Sequence, residues 1–222
     1  MAADGAEQVH HPLFARMFAR LSAHAEERGQ AELRRELLAG LSGRVIEVGA
    51  GNGLNFAHYP GTVDEVVAVE PESYLRELAG EAATSAPVPV RVVDGLADQL
   101  PAEDASLDAG VASLVLCSVR DPGAALAELR RVIRPGGELR FYEHVISDRP
   151  RLARVQRAAE RTGFWPLVGG GCHPARDTAA AIEAAGFRIE SCRRFDFRPA
   201  LVEIVVEPKI LGVARNGDRV GA

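Results

Sequence analysis

Arg44-Val45-Ile46-Glu47-Val48-Gly49-Ala50-Gly51-Asn52-Gly53 is the stretch on which the fold turns. Val45–Val48 is a short apolar run broken only by Glu47, and it leads straight into three glycines at alternate positions. Such a run reads as a buried strand, and the glycines let the backbone turn tightly and approach a ligand without a Cβ clash. The spacing is G-x-G-x-G, whereas the dinucleotide fingerprint G-x-G-x-x-G needs Gly or Ala at position 54, which is Leu54 here. Glu47, two residues before the first glycine, would repel a pyrophosphate and suits a ligand with a cationic end. The plain alternative is a structural strand-to-helix turn that binds nothing.

Outward from the loop, strand and helix signals alternate. Val63–Glu70 carries a second strand, Pro71–Ala83 a helix, and Val88–Val93 a third strand. Asp108–Val115 is all apolar after its Asp, as a strand buried on both faces should be. Asp121–Arg134 reads as a helix with Pro122 in its first turn. Pro135-Gly136-Gly137 turns into a fifth strand, Glu138–Val145, followed by helices at Arg149–Thr162 and Thr178–Ala185. Phe187–Phe195 and Ile210–Ala214 are late strands; residues 200–206 fit either a strand or a pocket lining. The alternation predicts a mostly parallel α/β sheet, with ligands at the carboxyl ends of its strands. Before the loop, residues 13–40 read as amphipathic helix. Leu13, Phe14, Met17, Phe18 and Leu21 make one stripe, and Leu33, Leu37 and Leu38 a second, with a break at Gly29. The expected organisation is one domain: a leader and helical lid over 1–40, then the sheet over 41–222.

Composition narrows the class. The chain has 222 residues, a net charge of -5 and no basic run, so nothing favours nucleic acid. Arg dominates the cations, and Lys209 is the single lysine. Cys117, Cys172 and Cys192 are odd in number and far apart, which argues against a disulfide framework or a CxxC metal site and fits a reducing cytoplasm. The polar start, with Asp4, Glu7, His10 and His11, does not read as a signal peptide, and no run reaches the ~20 apolar residues of a membrane span.

Glu70 ends the second strand, 21 positions after Gly49. An acid there can accept hydrogen bonds from both hydroxyls of a ribose. As a lone charge it would be an ordinary solvated strand end; with the glycine loop, the ribose reading is preferred.

These residues resemble the class I S-adenosylmethionine (SAM)-dependent methyltransferases. The resemblance runs from Val45 to about Ala214: the glycine loop, Glu70, and Arg131-Val132-Ile133-Arg134-Pro135-Gly136-Gly137 before strand five. A narrower likeness, to the methyltransferase-like group of alkyl-thiol S-methyltransferases, rests on Asn55-Phe56, Tyr59-Pro60, Leu114-Val115-Leu116-Cys117-Ser118-Val119, Phe141-Tyr142-Glu143-His144-Val145, Gly171-Cys172 and Arg176-Asp177-Thr178. It implies a Rossmann-like seven-stranded sheet with helices on both faces and strand seven antiparallel. It also implies SAM as cofactor, S-adenosylhomocysteine (SAH) as product, and a small apolar thiol as one acceptor. Animal members of that group begin with a hydrophobic membrane anchor, and this chain begins with a polar leader. The expected cofactor residues are Glu47, Gly49, Ala50, Gly51, Asn52, Gly53, Asn55, Glu70, Pro71 and Leu114. To these the pattern after strand three adds the amides of Leu96 and Ala97, with Asp94 or Asp98 near the adenine amine or simply solvated.

Methyl transfer to a thiol needs alignment and dry surroundings more than a strong base. His144, at the carboxyl end of strand five, is the candidate catalytic residue, to deprotonate or orient the nucleophile; a structural strand-end His is the alternative. Phe14, Phe18, Cys117, Trp165 and His173, together with His144, are expected to line the substrate site, with Phe164 close by; each also suits ordinary core packing. Cys172 and His173 share the 169–174 loop, and their separation along the chain from other ligand types argues against a metal site. Outside thiols, a small natural product or lipid methylated on O or N is open. So are two other classes: an NAD-dependent oxidoreductase, which Leu54 and Glu47 disfavour, and a SAM-binding protein without turnover.

Overall fold

The structure is a computed structural model that describes residues 12–199 and 201–217. Among these, seven strands form a single sheet. They are β1 (Gly43–Val48), β2 (Val63–Val69), β3 (Val90–Val93), β4 (Leu107–Ser113), β5 (Ile133–His144), β6 (Phe187–Asp196) and β7 (Pro208–Asn216), in the order β3-β2-β1-β4-β5-β7-β6. β1 to β5 are mutually parallel; β7 inserts between β5 and β6 and runs antiparallel to both. The order reverses between β1 and β4, which makes their carboxyl ends the crevice where such sheets bind ligands.

Successive side chains of the parallel strands feed two cores. Ile46, Val48, Val67 and Val69 pack on one face with Leu126 and Leu129 of α4 (Pro122–Val132) and Ile182 of α7 (Thr178–Ala184). Val45, Val66 and Ala68 pack on the other with Leu37 and Leu38 of α2 (Ala31–Leu38) and Ala79 of α3 (Ser73–Ala83). This period-two alternation between two apolar faces is why these strands read as nearly unbroken apolar runs. Glu47 belongs by parity to the α2 face. The starts of α4 and α7 are capped: the Asp121 carboxylate accepts from the amides of Gly123 and Ala124, and Asp177 from Ala180.

Several boundaries differ from expectation. The 13–40 helix is α1 (Pro12–Ala25), a π turn (Glu26–Gln30) and α2; Gly29, at φ 109°, breaks the regular geometry where the sequence placed the break. β5 starts at Ile133 rather than Glu138, and its register against β4 shifts after Leu107, so the Pro135-Gly136-Gly137 turn is an irregularity within the strand. β4 stops at Ser113 because Leu114 adopts a left-handed φ of 58°. Residues 201–206 form a 3-10 turn rather than a strand, and α5 (Pro150–Arg161) is followed by a short α6 (Phe164–Val168).

The stripe on α1 is rotated from the one expected. Ala15, Ser22 and Ala25 are buried and Phe18 is half-buried, while Met17 and Leu21 are each 45% exposed. Five apolar residues set the expected stripe, but among the described side chains the most buried face is the small-residue one, because small side chains let the helix approach the glycine loop. Asn52 of that loop donates to the Ser22 hydroxyl over 3.3 Å, and the Arg16 guanidinium lies 5.6 Å from the centre of the Tyr74 ring on α3. The side chains of Leu13, Phe14 and Phe164 lie outside the described residues. No described helix is long and apolar enough to cross a membrane.

Candidate active site

The glycine loop leaves β1 with Gly49 and Gly51 at φ 64° and 57°. A side chain at Gly49 would collide with Val115, so the loop and the β4 turn are packed backbone against side chain. At Gly51 a Cβ would meet only the edge of the Phe18 ring, at 3.4 Å; α1 covers the loop at this point. The left-handed backbone at both positions is one that glycine adopts without strain.

Glu47 sits beneath the loop and is buried. One of its carboxylate oxygens accepts from Asn55 Nδ2 at 2.8 Å and the other from the Tyr59 hydroxyl at 2.7 Å. Asn55 Oδ1 in turn accepts from Arg34 at 2.8 Å, and Arg34 is tied to Glu26 at 2.7 Å. Burial raises the Glu47 pKa to about 7, against the lowering effect of the Tyr59 and Asn55 hydrogen bonds. Glu47 and Asn55, expected among the cofactor residues, engage each other and, through Arg34, α2 beneath the loop. The sequence marks Tyr59 only as part of the family likeness and does not mark Arg34 at all. Arg34 sits in a run of charged helical residues that reads as a solvated face, and only the fold shows it to be buried.

Glu70 lies just past β2 and is also buried. Its oxygens accept from the amides of Gly51 at 2.8 Å and Glu72 at 2.9 Å. Burial raises its pKa, partly offset by those amides. The structure thus joins Glu70 to the glycine loop. Arg76 spans the next turn, donating to the carbonyls of Glu70 and Pro71 and to Asp94 at 3.1 Å. Asp94 is therefore engaged by Arg76, with its side chain largely exposed. Leu96 and Ala97 are half-buried in a turn closed by Gln99 N donating to Leu96 O; Asp98 is exposed.

The third part lies past β4 and β5. The Leu114 amide donates to Tyr142 O over 2.6 Å, and its left-handed backbone swings the chain away from the sheet. A non-glycine residue held there costs on the order of 1 kcal/mol or more, and such strain gathers at functional sites. Glu143, fully buried, accepts from three consecutive amides, Val115 at 3.0 Å, Leu116 at 2.9 Å and Cys117 at 3.1 Å. Burial raises its pKa well above the usual carboxylate range. Glu143 thus fixes the turn carrying Cys117, a role its neighbour His144 hid from the sequence reading.

His144 ends β5, half-buried. Its Nδ1 lies 3.4 Å from Cys117 Sγ and 3.5 Å from Cys172 Sγ. The hydrogen bond with Cys172, then burial, push the Cys117 thiol up to about 12. Two residues judged remote along the chain are thereby brought together, so the distance argument against a Cys/His cluster does not survive folding. Val206 and a half-buried Trp165 pack against the two cysteines. His173 stands at the edge: its amide donates to Cys117 O at 2.7 Å and its ring pairs with Glu160 at 3.3 Å.

A family profile described as "Methyltransferase domain" matches residues 46–141, the span from β1 through most of β5. Human thiol S-methyltransferase TMT1B is 36% identical over 183 residues, 80% of this chain and 73% of that protein. The rat protein of the same name is 34% identical over 215 residues, 90% of this chain and 85% of that protein. This chain belongs to the class I SAM-dependent methyltransferases, in their alkyl-thiol group. Its cofactor is SAM, and it is an enzyme of methyl transfer. Among solved structures, geranyl diphosphate methyltransferase in complex with GPP and sinefungin superposes with a TM-score of 0.65 at 15% identity, over 86% of this chain and 78% of that one. At that identity the likeness speaks for the fold.

Proposed function

We propose that this methyltransferase moves the methyl group of SAM to the sulfur of a small apolar thiol. The observation that carries the reading is the sequence likeness to proteins named thiol S-methyltransferases over more than 70% of their length. The chemistry at the ends of β4 and β5 agrees with it. The nearby carboxylate, Glu143, is spent on backbone amides, and what remains is an imidazole among sulfur and apolar groups. Such surroundings suit a soft, easily ionised acceptor better than an amine or a phenol needing a strong base.

SAM supplies a methyl group already activated by its sulfonium charge. On this reading the 47–53 loop and Glu70 receive the donor, Glu70 by accepting from the ribose hydroxyls. Glu47, Asn55, Tyr59 and Arg34 keep the loop in shape. Pro71, Leu96, Ala97 and Leu114 wall the adenosyl side, with Asp94 and Asp98 at its rim. His144 orients and activates the acceptor. Phe18, Cys117, Trp165 and His173 shape the acceptor side, and α1 over Gly51 is a lid that excludes water. Free cysteines fit a reducing compartment such as the cytoplasm.

A panel of small thiols, phenols and amines offered with labelled SAM tests the reading. Turnover is expected on alkyl thiols first. Methylation of amines or phenols with none of thiols would overturn the acceptor assignment.

A further inference from the structure

We propose that Cys117, His144 and Cys172 form a three-ligand site for a thiophilic divalent cation, zinc above others, whose open fourth position takes the sulfur of the acceptor. The inference rests on the thiol reading above and says how the thiol is activated.

Cys117 Sγ, Cys172 Sγ and a ring nitrogen of His144 all lie within 4.8 Å of one another, and the two sulfurs stand 3.4 and 3.5 Å from the same atom, Nδ1. A tetrahedral zinc with bonds of roughly 2.3 Å to sulfur and 2.0 Å to nitrogen separates those two ligand atoms by about 3.5 Å. The two sulfur–nitrogen distances, 3.4 and 3.5 Å, match that spacing. Nδ1 has a single lone pair, which two thiols must share if they only donate hydrogen bonds to it. One cation satisfies all three atoms at once.

The supports of these residues are tied to one another through the backbone. Glu143 pins the turn that carries Cys117 through three amides. The 169–174 loop is laced to that turn: the His173 amide donates to Cys117 O, and Arg176 donates to the carbonyls of Leu116 and Val119 at 2.8 and 2.7 Å. A Cβ at Gly171 would sit 2.9 Å from Ser118 O, so the loop approaches as closely as glycine allows. Three protein ligands on preset backbone, with a fourth position left for an outside group, is the pattern of catalytic rather than structural zinc. The site also adjoins the cofactor loop, since Val115, two residues before Cys117, packs on Gly49.

The chemistry balances. Cys117 and Cys172 bind as thiolates, and their protons go to solvent on loading. An acceptor R–SH takes the fourth position as thiolate, its proton likewise released, because a bound cation lowers the pKa of a coordinating thiol. That sulfur forms the new bond to the methyl carbon, and the donor's carbon–sulfur bond breaks with its electron pair retained by the donor sulfur. The product is a neutral thioether, a poorer ligand that leaves. His144 then serves through Nδ1 as a ligand rather than as a base.

The test uses the full chain, reduced, stripped with a chelator and titrated with Co2+, then Zn2+. Expected is one Co2+ per chain with thiolate charge-transfer absorption, displaced by Zn2+, and a change in the tetrahedral ligand-field bands on adding a small alkyl thiol. Cys117→Ser and Cys172→Ser should each weaken binding roughly a hundredfold or more, and Cys192→Ser should leave it unchanged. Should the variants unfold, the wild-type spectrum and its response to the alkyl thiol decide. No charge-transfer band, the same band in the folded double variant, or a spectrum that no thiol perturbs overturns the proposal. Metal-free protein that methylates small thiols as fast as loaded protein also overturns it and leaves the thiol reading standing. A thiol-responsive cobalt site in an enzyme that methylates only amines supports the site and removes the thiol reading.

Discussion

Glu47→Gln is expected to flatten the pH dependence of stability. In the folded chain Glu47 is enclosed between Asn55 and Tyr59, and burial lifts its pKa from an ordinary 4.5 to about 7. The folded state therefore holds a proton that the unfolded state has released across that interval. Since stability changes with pH in proportion to the protons bound unfolded minus those bound folded, this group makes the protein less stable as pH rises. Its contribution is fully present below pH 4.5 and is lost by the time pH has passed about 7. At roughly 1.4 kcal/mol per pKa unit, the loss over that window is about 3 kcal/mol. For a chain of this size that corresponds to a fall in Tm of roughly 6–12 °C. Gln at this position keeps an oxygen for Asn55 and does not titrate, so the fall should be smaller in the variant by about that amount. The assay is calorimetric melting of both proteins from pH 5 to pH 8 in matched buffers. Parallel Tm profiles would refute the reasoning and mean that Glu47 is ionised in the folded state throughout.

Glu70→Ala should weaken SAH binding by ~1–3 kcal/mol through loss of hydrogen bonds at the ribose position; calorimetry showing unchanged affinity in the folded variant would move the ribose elsewhere. Glu143→Ala strands three amides that now share one carboxylate and should cost several kcal/mol of stability, with Glu143→Gln recovering part; a variant as stable as wild type in urea melts would show that the turn does not depend on it. Deleting residues 1–28 should abolish turnover while the sheet still folds, because α1 covers the loop at Gly51; full activity in the truncated protein would remove the lid.

What the sequence disclosed was largely what is local. The glycine loop, the acid after β2 and the helix–strand alternation are signals carried by neighbouring residues, and the sheet has the strands those signals call for. The boundary errors are local competitions lost: a left-handed Leu114 ends β4 early, and β5 runs through its Pro-Gly-Gly irregularity. The site was only partly legible because its decisive contacts are long-range. Arg34 reaches Asn55 across 21 positions, Glu143 reaches back 26 to 28 positions to three amides, and His144 meets Cys172 28 positions away. No periodicity reports such meetings; they follow from β4, β5 and the 169–174 loop ending at one edge. On α1 the apolar stripe is only partly packed: Phe18 meets the glycine loop and the small residues Ala15, Ser22 and Ala25 are covered, while Met17 and Leu21 stay exposed.

The most direct test of the central claim is to incubate the purified chain with SAM labelled in its methyl group and a short alkyl thiol, and to follow the products by mass spectrometry. One labelled S-methyl thioether is expected for each SAH released, at a rate far above that without protein. SAH formation without a labelled thioether, or no turnover of any thiol by a chain that binds SAM, would contradict it.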